Sequence, residues 1–324
     1  MSYALLGALG LLAAFGIGSL AGSALVLAAW RVLDSRIARM RASTRARVLL
    51  GLRLFPTSAG LLASFGLVLP AYVLLEPRKT TELPGFTFWA CALVGLVFAG
   101  RGVWRLISTL LATDRVVRVW SRGAEPVSLD GVDCPVYRID TAAPIVALAG
   151  SRRPRLFIAS SVLDGCGANL VAAMAAHEVG HWHSGDNVKR LMLEGAADPL
   201  PLFSSGRRML EEWESATEES ADDDAIARGA HPADLAESLV RVARLASRAA
   251  IPQTAVAAAF YRGEALEKRV RRLLAAPARL ARHASGLGRT GALLALLAAT
   301  AWLAVTPGVL EPLHRVFETI VHAP

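Results

Sequence analysis

Residues 3–30 carry no charged side chain, and nothing else in the chain restricts its fold as strongly. A run of that length crosses the hydrocarbon of a bilayer with some tilt. A cleaved leader would need a basic start and a shorter apolar region, and neither is present. Two further segments, 54–75 and 86–112, have the length of a span, and 291–310 is a charge-free fourth. Hydrophobic residues make up 54% of the chain and charged ones 19%. That balance fits a membrane protein with one polar domain.

The charges orient the spans. Arg31, Arg36, Arg39, Arg41, Arg45, Arg47 and Arg53 face a single acid, Asp34, across residues 31–53. Such a stretch between apolar segments reads as a cytoplasmic loop. Arg101 and Arg105 interrupt the third span where it would reach the same side, and they can snorkel to the headgroups. Arg279, Arg282 and Arg289 precede the fourth. The expected layout is mostly α: an N-terminal membrane domain over 1–112 with spans at about 3–30, 54–75 and 86–112. A cytoplasmic domain over 113–290 follows, then a fourth span at 291–310 and a short outer tail at 311–324. The N-terminus is expected outside, and a bacterial inner membrane is the expected location. Gly18 and Gly22 form a G-x-x-x-G pair, read here as part of a Gly/Ala-rich span rather than a packing motif. Pro56 and Pro70 lie near the ends of the second span.

The net charge of +8 raises nucleic-acid binding as a function. The arginines lie beside apolar segments and lack interleaved aromatics, so direct nucleic-acid binding is not expected. Cys91, Cys134 and Cys166 show no C-x-x-C spacing, which predicts neither a disulfide framework nor a cysteine zinc site.

Within 113–290 the character is mixed. Residues 116–120, 135–139, 145–149 and 155–159 are short Val/Ile-rich runs punctuated by Gly, Pro and Asp, and predict a small sheet. Helices are expected from 168 to about 184, 207–227, 232–247 and 256–274. The first of them contains His177-Glu178-Val179-Gly180-His181, an H-E-x-x-H pattern. Two histidines four apart share one helix face and can each give a ring nitrogen to one zinc ion. Glu178 projects beside that metal as a general base. Chance spacing is the competing explanation.

A catalytic zinc site normally has three protein ligands and one open position. Glu218 and Asp222 lie one turn apart in an acidic helix, so Glu218 can ligate while Asp222 bonds the far nitrogen of a histidine. Glu219 with Asp223 makes the same pattern one step round, and the choice between Glu218 and Glu219 stays open. The small Ala221 would let this helix approach the histidine helix. Asp186 is either a brace at the end of that helix or a plain turn residue. His183 points elsewhere. His231, His283, His314 and His322 lack metal spacing.

With these pieces in place the chain resembles the BlaR/MecR-type integral-membrane zinc metallopeptidases, and more distantly the CAAX prenyl and heat-shock membrane proteases. The resemblance is carried by HEVGH with Asp186 and NVKRL at 187–191. It extends to APIVALAG at 143–150, RPRLFI at 153–158, the segment 213–225, and LEKRVRRLL at 266–274. It covers roughly 131–274. It implies a gluzincin-type α+β domain between the third and fourth membrane helices, with His177, His181 and Glu218 as zinc ligands. It also implies Glu178 as base, Asp222 behind the histidines and Arg269 near the site. An exposed edge strand, with 155–159 as candidate, would take an extended substrate by strand addition. No counterpart of the penicillin-binding sensor domain of the antibiotic-sensing members is expected after Leu310.

The expected function is a zinc-dependent endopeptidase at the cytoplasmic face, acting in regulatory or quality-control proteolysis. Its expected partners are the lipid bilayer and a protein substrate, with a transcriptional repressor or a membrane protein as candidates. The rival expectation is a non-catalytic membrane signalling or scaffold protein, for which Glu178 would have no use.

Overall fold

The structure, a computed structural model, describes residues 2–76, 84–129, 131–150, 154–248, 263–275 and 319. The expected fourth span at 291–310, the tail at 311–324 apart from residue 319, residues 256–262 of the last predicted helix, and His283, His314 and His322 lie outside the described residues.

The described chain is mostly helical with one small sheet. Helix α1 (Tyr3–Ile37) opens on Ser2, whose hydroxyl accepts the Leu5 amide at 3.3 Å. Helix α2 (Ala42–Leu61) passes through a π-helical segment, Leu62–Val68, into α3 (Leu69–Leu75). Helix α4 is Phe86–Ser121. The continuous helices Tyr3–Ile37, Ala42–Leu75 and Phe86–Ser121 are each long and apolar enough to cross a membrane.

These helices pack through glycine. A Cβ on Gly95 of α4 would lie 1.8 Å from the Leu12 carbonyl oxygen of α1, so the two backbones touch there. Gly18 and Gly22 do the same against α2: their Cβ atoms would meet Ala59, Gly60 and Pro56 at 2.9 Å. The G-x-x-x-G pair is therefore a packing seam, contrary to the expectation of a merely Gly-rich span. Gly95→Ala is expected to push α1 and α4 apart and destabilise the fold by about 1–3 kcal/mol. A thermal melt in detergent that matched the parent would contradict that contact.

The stretch 31–53, expected as a loop, is almost entirely helix, and only residues 38–41 turn. Arginine is a good helix former, and two of these arginines have buried partners rather than solvent. Arg45 Nη2 lies 2.9 Å from Glu219, and Arg53 Nη1 lies 3.3 Å from Asp198. Arg101 and Arg105 have protein partners too. Arg105 pairs with Glu194, and Arg101 reaches the Asp198 carbonyl oxygen at 3.5 Å.

Residues 116–120, expected as a strand, form the last turns of α4. A helix already nucleated extends cheaply, and nothing stops it before Gly123, which has φ +78°. Trp120 then packs on Phe157 with ring centroids 5.5 Å apart.

The sheet has the order β1-β2-β4-β3, from β1 (Glu125–Val127), β2 (Val136–Ile139), β3 (Val146–Ala149) and β4 (Arg155–Ala159). β2 and β4 are parallel and the other pairs antiparallel. β4 is thus interior, which corrects the expectation that 155–159 is an exposed edge. Its unbroken apolar sequence suits a strand covered on both faces, and Leu156 to Ala159 are fully buried. The edge nearest the helices is β3.

After β4 come α5 (Ser160–Gly165), α6 (Ala168–Ser184), α7 (Asp186–Glu194), a 3-10 turn (Leu200–Leu202), α8 (Ser204–Ala227), α9 (Pro232–Arg248) and α10 (Gly263–Ala275). One core joins the sheet to α6 through Leu156, Ile158, Val171 and Ala175. Another joins the C-terminal half of α1 and the N-terminal half of α2 to α8, with Val26, Trp30 and Leu49 around Met209 and Trp213. The membrane helices and the acidic helix therefore share a hydrophobic core.

Candidate metal centre

The cluster forms where α6 crosses α8. Gly180 makes the approach possible: a Cβ there would sit 3.2 Å from the Ala221 carbonyl oxygen and from Asp224 Oδ2. Ala221, facing it, is fully buried. Two small residues thus bring the histidine face of α6 onto the carboxylates of α8.

His177, His181 and Glu218 converge. Nε2 of His177 lies 3.2 Å from Nε2 of His181. Glu218 Oε2 lies 3.4 Å from the former and Oε1 3.5 Å from the latter. Tetrahedral ligands held at about 2.0–2.1 Å from one zinc ion stand about 3.3 Å apart, so this spacing fits such an ion.

Both imidazoles are held from behind, which turns their Nε2 atoms inward. His181 Nδ1 bonds Asp186 Oδ2 at 2.9 Å. Gly185, at φ +69°, closes α6 in a left-handed turn and starts α7 at Asp186, which sets that carboxylate back against His181. Lys189 holds the other Asp186 oxygen at 2.8 Å. His177 Nδ1 lies 2.9 Å from Asp222 Oδ1, close enough for a hydrogen bond though not aligned as one. Of the two sequence readings of Asp186, the brace describes its contacts.

Arg269 of α10 completes the group. Its Nη1 donates to Glu218 at 2.8 Å, and its Nε and Nη2 donate to the two oxygens of Asp222 at 3.1 and 2.8 Å. Glu219 faces away from the histidines, toward Arg45, Lys268 and Arg272, and Asp223 pairs with Arg272. The structure thus brings Glu218 and Asp222 to the histidines and leaves Glu219 and Asp223 outside the cluster. His183 stacks on Trp182 and stays exposed.

Electrostatics follow from this packing. Burial would lower the His181 pKa, but its bonds to Asp186 and Glu218 outweigh burial and push it up to about 10. His177 is raised likewise, with Asp222 and Glu218 overcoming burial. Burial opposes the charge on Glu218, but both histidines and Arg269 hold its pKa well below the usual range. Asp222 is also lowered, by Arg269 and His177 against burial. A metal must displace the protons that these histidines hold, so its affinity rises with pH. Asp222→Asn and Asp186→Asn are each expected to weaken metal binding at the cluster about 10–100-fold by loosening one imidazole. Competition against a chromophoric chelator measures this, and parent-like affinity in both variants would refute the bracing role.

Glu178 is positioned by a contact that the sequence did not announce. Its Oε2 accepts the Leu148 amide of β3 at 3.1 Å. The Leu148 carbonyl oxygen in turn accepts from the Asn187 side chain at 3.3 Å. The only sequence sign of this was the nearness of Asn187 to the motif; the strand partner lies 30 residues from Glu178. Compared with known proteins, the chain matches no family model, and a search of curated proteins finds no matching relative.

Proposed function

We propose that the chain is an integral-membrane zinc endopeptidase of the kind that the BlaR/MecR resemblance suggests. The observation that carries the reading is the ring of His177, His181 and Glu218, spaced at 3.2–3.5 Å with Glu178 on the same helix. Zinc bound there would supply Lewis acidity, lowering the pKa of a water molecule and polarising a peptide carbonyl. Glu178, aimed by the Leu148 amide, takes the proton from that water and hands it to the departing amine. Arg269 keeps Glu218 and Asp222 ionised. β3, the edge strand beside Glu178, borders the space for an extended substrate. Its Leu148 amide and carbonyl are taken by Glu178 and Asn187, so the substrate meets the strand on either side of Leu148.

In this reading the domain faces the cytoplasm, since the arginine-rich ends of α1, α2 and α4 lie on its side. A fourth span at 291–310 returns the chain to the outside. The substrate is a protein, either a repressor or a membrane protein. The test compares N-terminal peptides from cells expressing the parent and Glu178→Ala. Peptides generated only by the parent name the substrate. Identical peptide sets, with zinc bound, would favour the non-catalytic scaffold instead.

A further inference from the structure

The connection between α7 and α8 reads Gly195-Ala-Ala-Asp-Pro-Leu-Pro-Leu-Phe203. It is apolar but for Asp198, and it sits among the membrane helices rather than over the sheet. The Ala197 amide donates to Thr57 Oγ1 of α2 at 2.9 Å, one turn inside the apolar segment 54–75. On the other side it rests on Gly102 of α4, where a Cβ would come within 2.7 Å of the Gly195 carbonyl oxygen and 3.0 Å of Ala197. Gly102 is 16 residues beyond Phe86, about 24 Å along the helix and so still within a hydrocarbon layer about 30 Å thick.

Irregular backbone at that depth must be buried in protein, and residues 196–200 are all buried. Charges at that depth must be paired. Asp198 faces Arg53, its carbonyl oxygen faces Arg101, and Glu194 at the start of the connection faces Arg105. Leu202 and Phe203 break the pattern, at 70% and 46% exposed. Single exposed apolar residues are ordinary in water. These two follow directly on a buried segment docked on α2 and α4, helices whose own exposed side chains include Phe55, Val103 and Trp104.

We infer that residues 195–203 form an anchor, seated on Thr57 and Gly102, that enters the bilayer at its edge. Arg207, which donates to the Pro201 and Leu202 carbonyl oxygens at 3.2 Å, stays at headgroup level while Leu202 and Phe203 meet acyl chains. The anchor joins the two halves of the metal centre. His177, His181 and Asp186 come just before it, and Glu218 and Asp222 come on the helix just after it. Helix α7, which reaches from Asp186 to the anchor, is about 13 Å long. The centre is therefore held close to the bilayer surface by a covalent hairpin rooted in it, in addition to the spans.

The test uses the full chain in phosphatidylcholine–phosphatidylglycerol vesicles carrying a diazirine on the acyl chain. After irradiation, adducts are mapped by peptide mass spectrometry. Leu202 and Phe203 should be labelled as efficiently as Leu93 and Leu96, exposed apolar residues of α4. Leu274, exposed on α10, should remain unlabelled. Adducts on Leu93 and Leu96 but none on Leu202 and Phe203 would overturn the anchor and leave the spans intact. Absence of labelling on all four would overturn the membrane placement and the anchor with it. None of these outcomes depends on metal or on hydrolysis, so the anchor can fail while the proposed peptidase stands, and the reverse.

Discussion

Glu178→Gln is expected to keep its zinc and lose hydrolysis by about 10²–10⁴-fold, the usual worth of a positioned general base. The amide is the same size as the carboxylate, and its oxygen can still accept the Leu148 amide, so the local geometry survives. It cannot take a proton from water. Glu178→Ala removes the Leu148 bond as well, and so is the less clean variant for kinetics. Purified parent and Glu178→Gln, compared on the substrate identified in cells and assayed for zinc by mass spectrometry, give the answer. Equal rates with equal zinc would remove Glu178 from the chemistry.

The second large effect separates two neighbouring carboxylates. Glu218→Ala removes one of three converging ligands and should abolish tight zinc binding. Glu219→Ala should leave zinc in place, because that side chain points toward Arg45, Lys268 and Arg272. Its cost falls on the fold instead. Arg45 is buried, and losing its partner strands a charge at the junction of α2 and α8, worth about 3–5 kcal/mol. Zinc content and thermal midpoint, measured on both variants, should therefore move in opposite patterns. If Glu219→Ala loses zinc and Glu218→Ala keeps it, the roles are reversed.

The parts of this arrangement that were legible in the sequence are those set by local spacing. HEVGH puts two imidazoles on one face because a helix repeats every 3.6 residues, and the E-x-x-x-D spacing does the same for Glu218 and Asp222. The long apolar helices were legible for the same reason, since composition and length alone determine them. Spacing could not separate Glu218 from Glu219. That choice depends on Gly180 meeting Ala221, a contact across two helices.

The arginine-rich stretch 31–53 reads as a loop for a related cause, because no nearby residue announces Glu219 or Asp198 as partners for Arg45 and Arg53 on helix α2. Local composition also favoured a strand at 116–120 over the continuing helix. The resemblance offered 155–159 as an exposed edge, although the apolar run 156–159 is what a doubly covered strand requires. The hold of Leu148 on Glu178 arises only when β3 comes to lie against α6.

The most direct measurement is zinc per chain in protein purified in detergent without chelator. The parent and Glu178→Gln should each carry one zinc, and Glu218→Ala should carry none. A parent chain that emerges without zinc and binds none on titration would contradict the account at its centre.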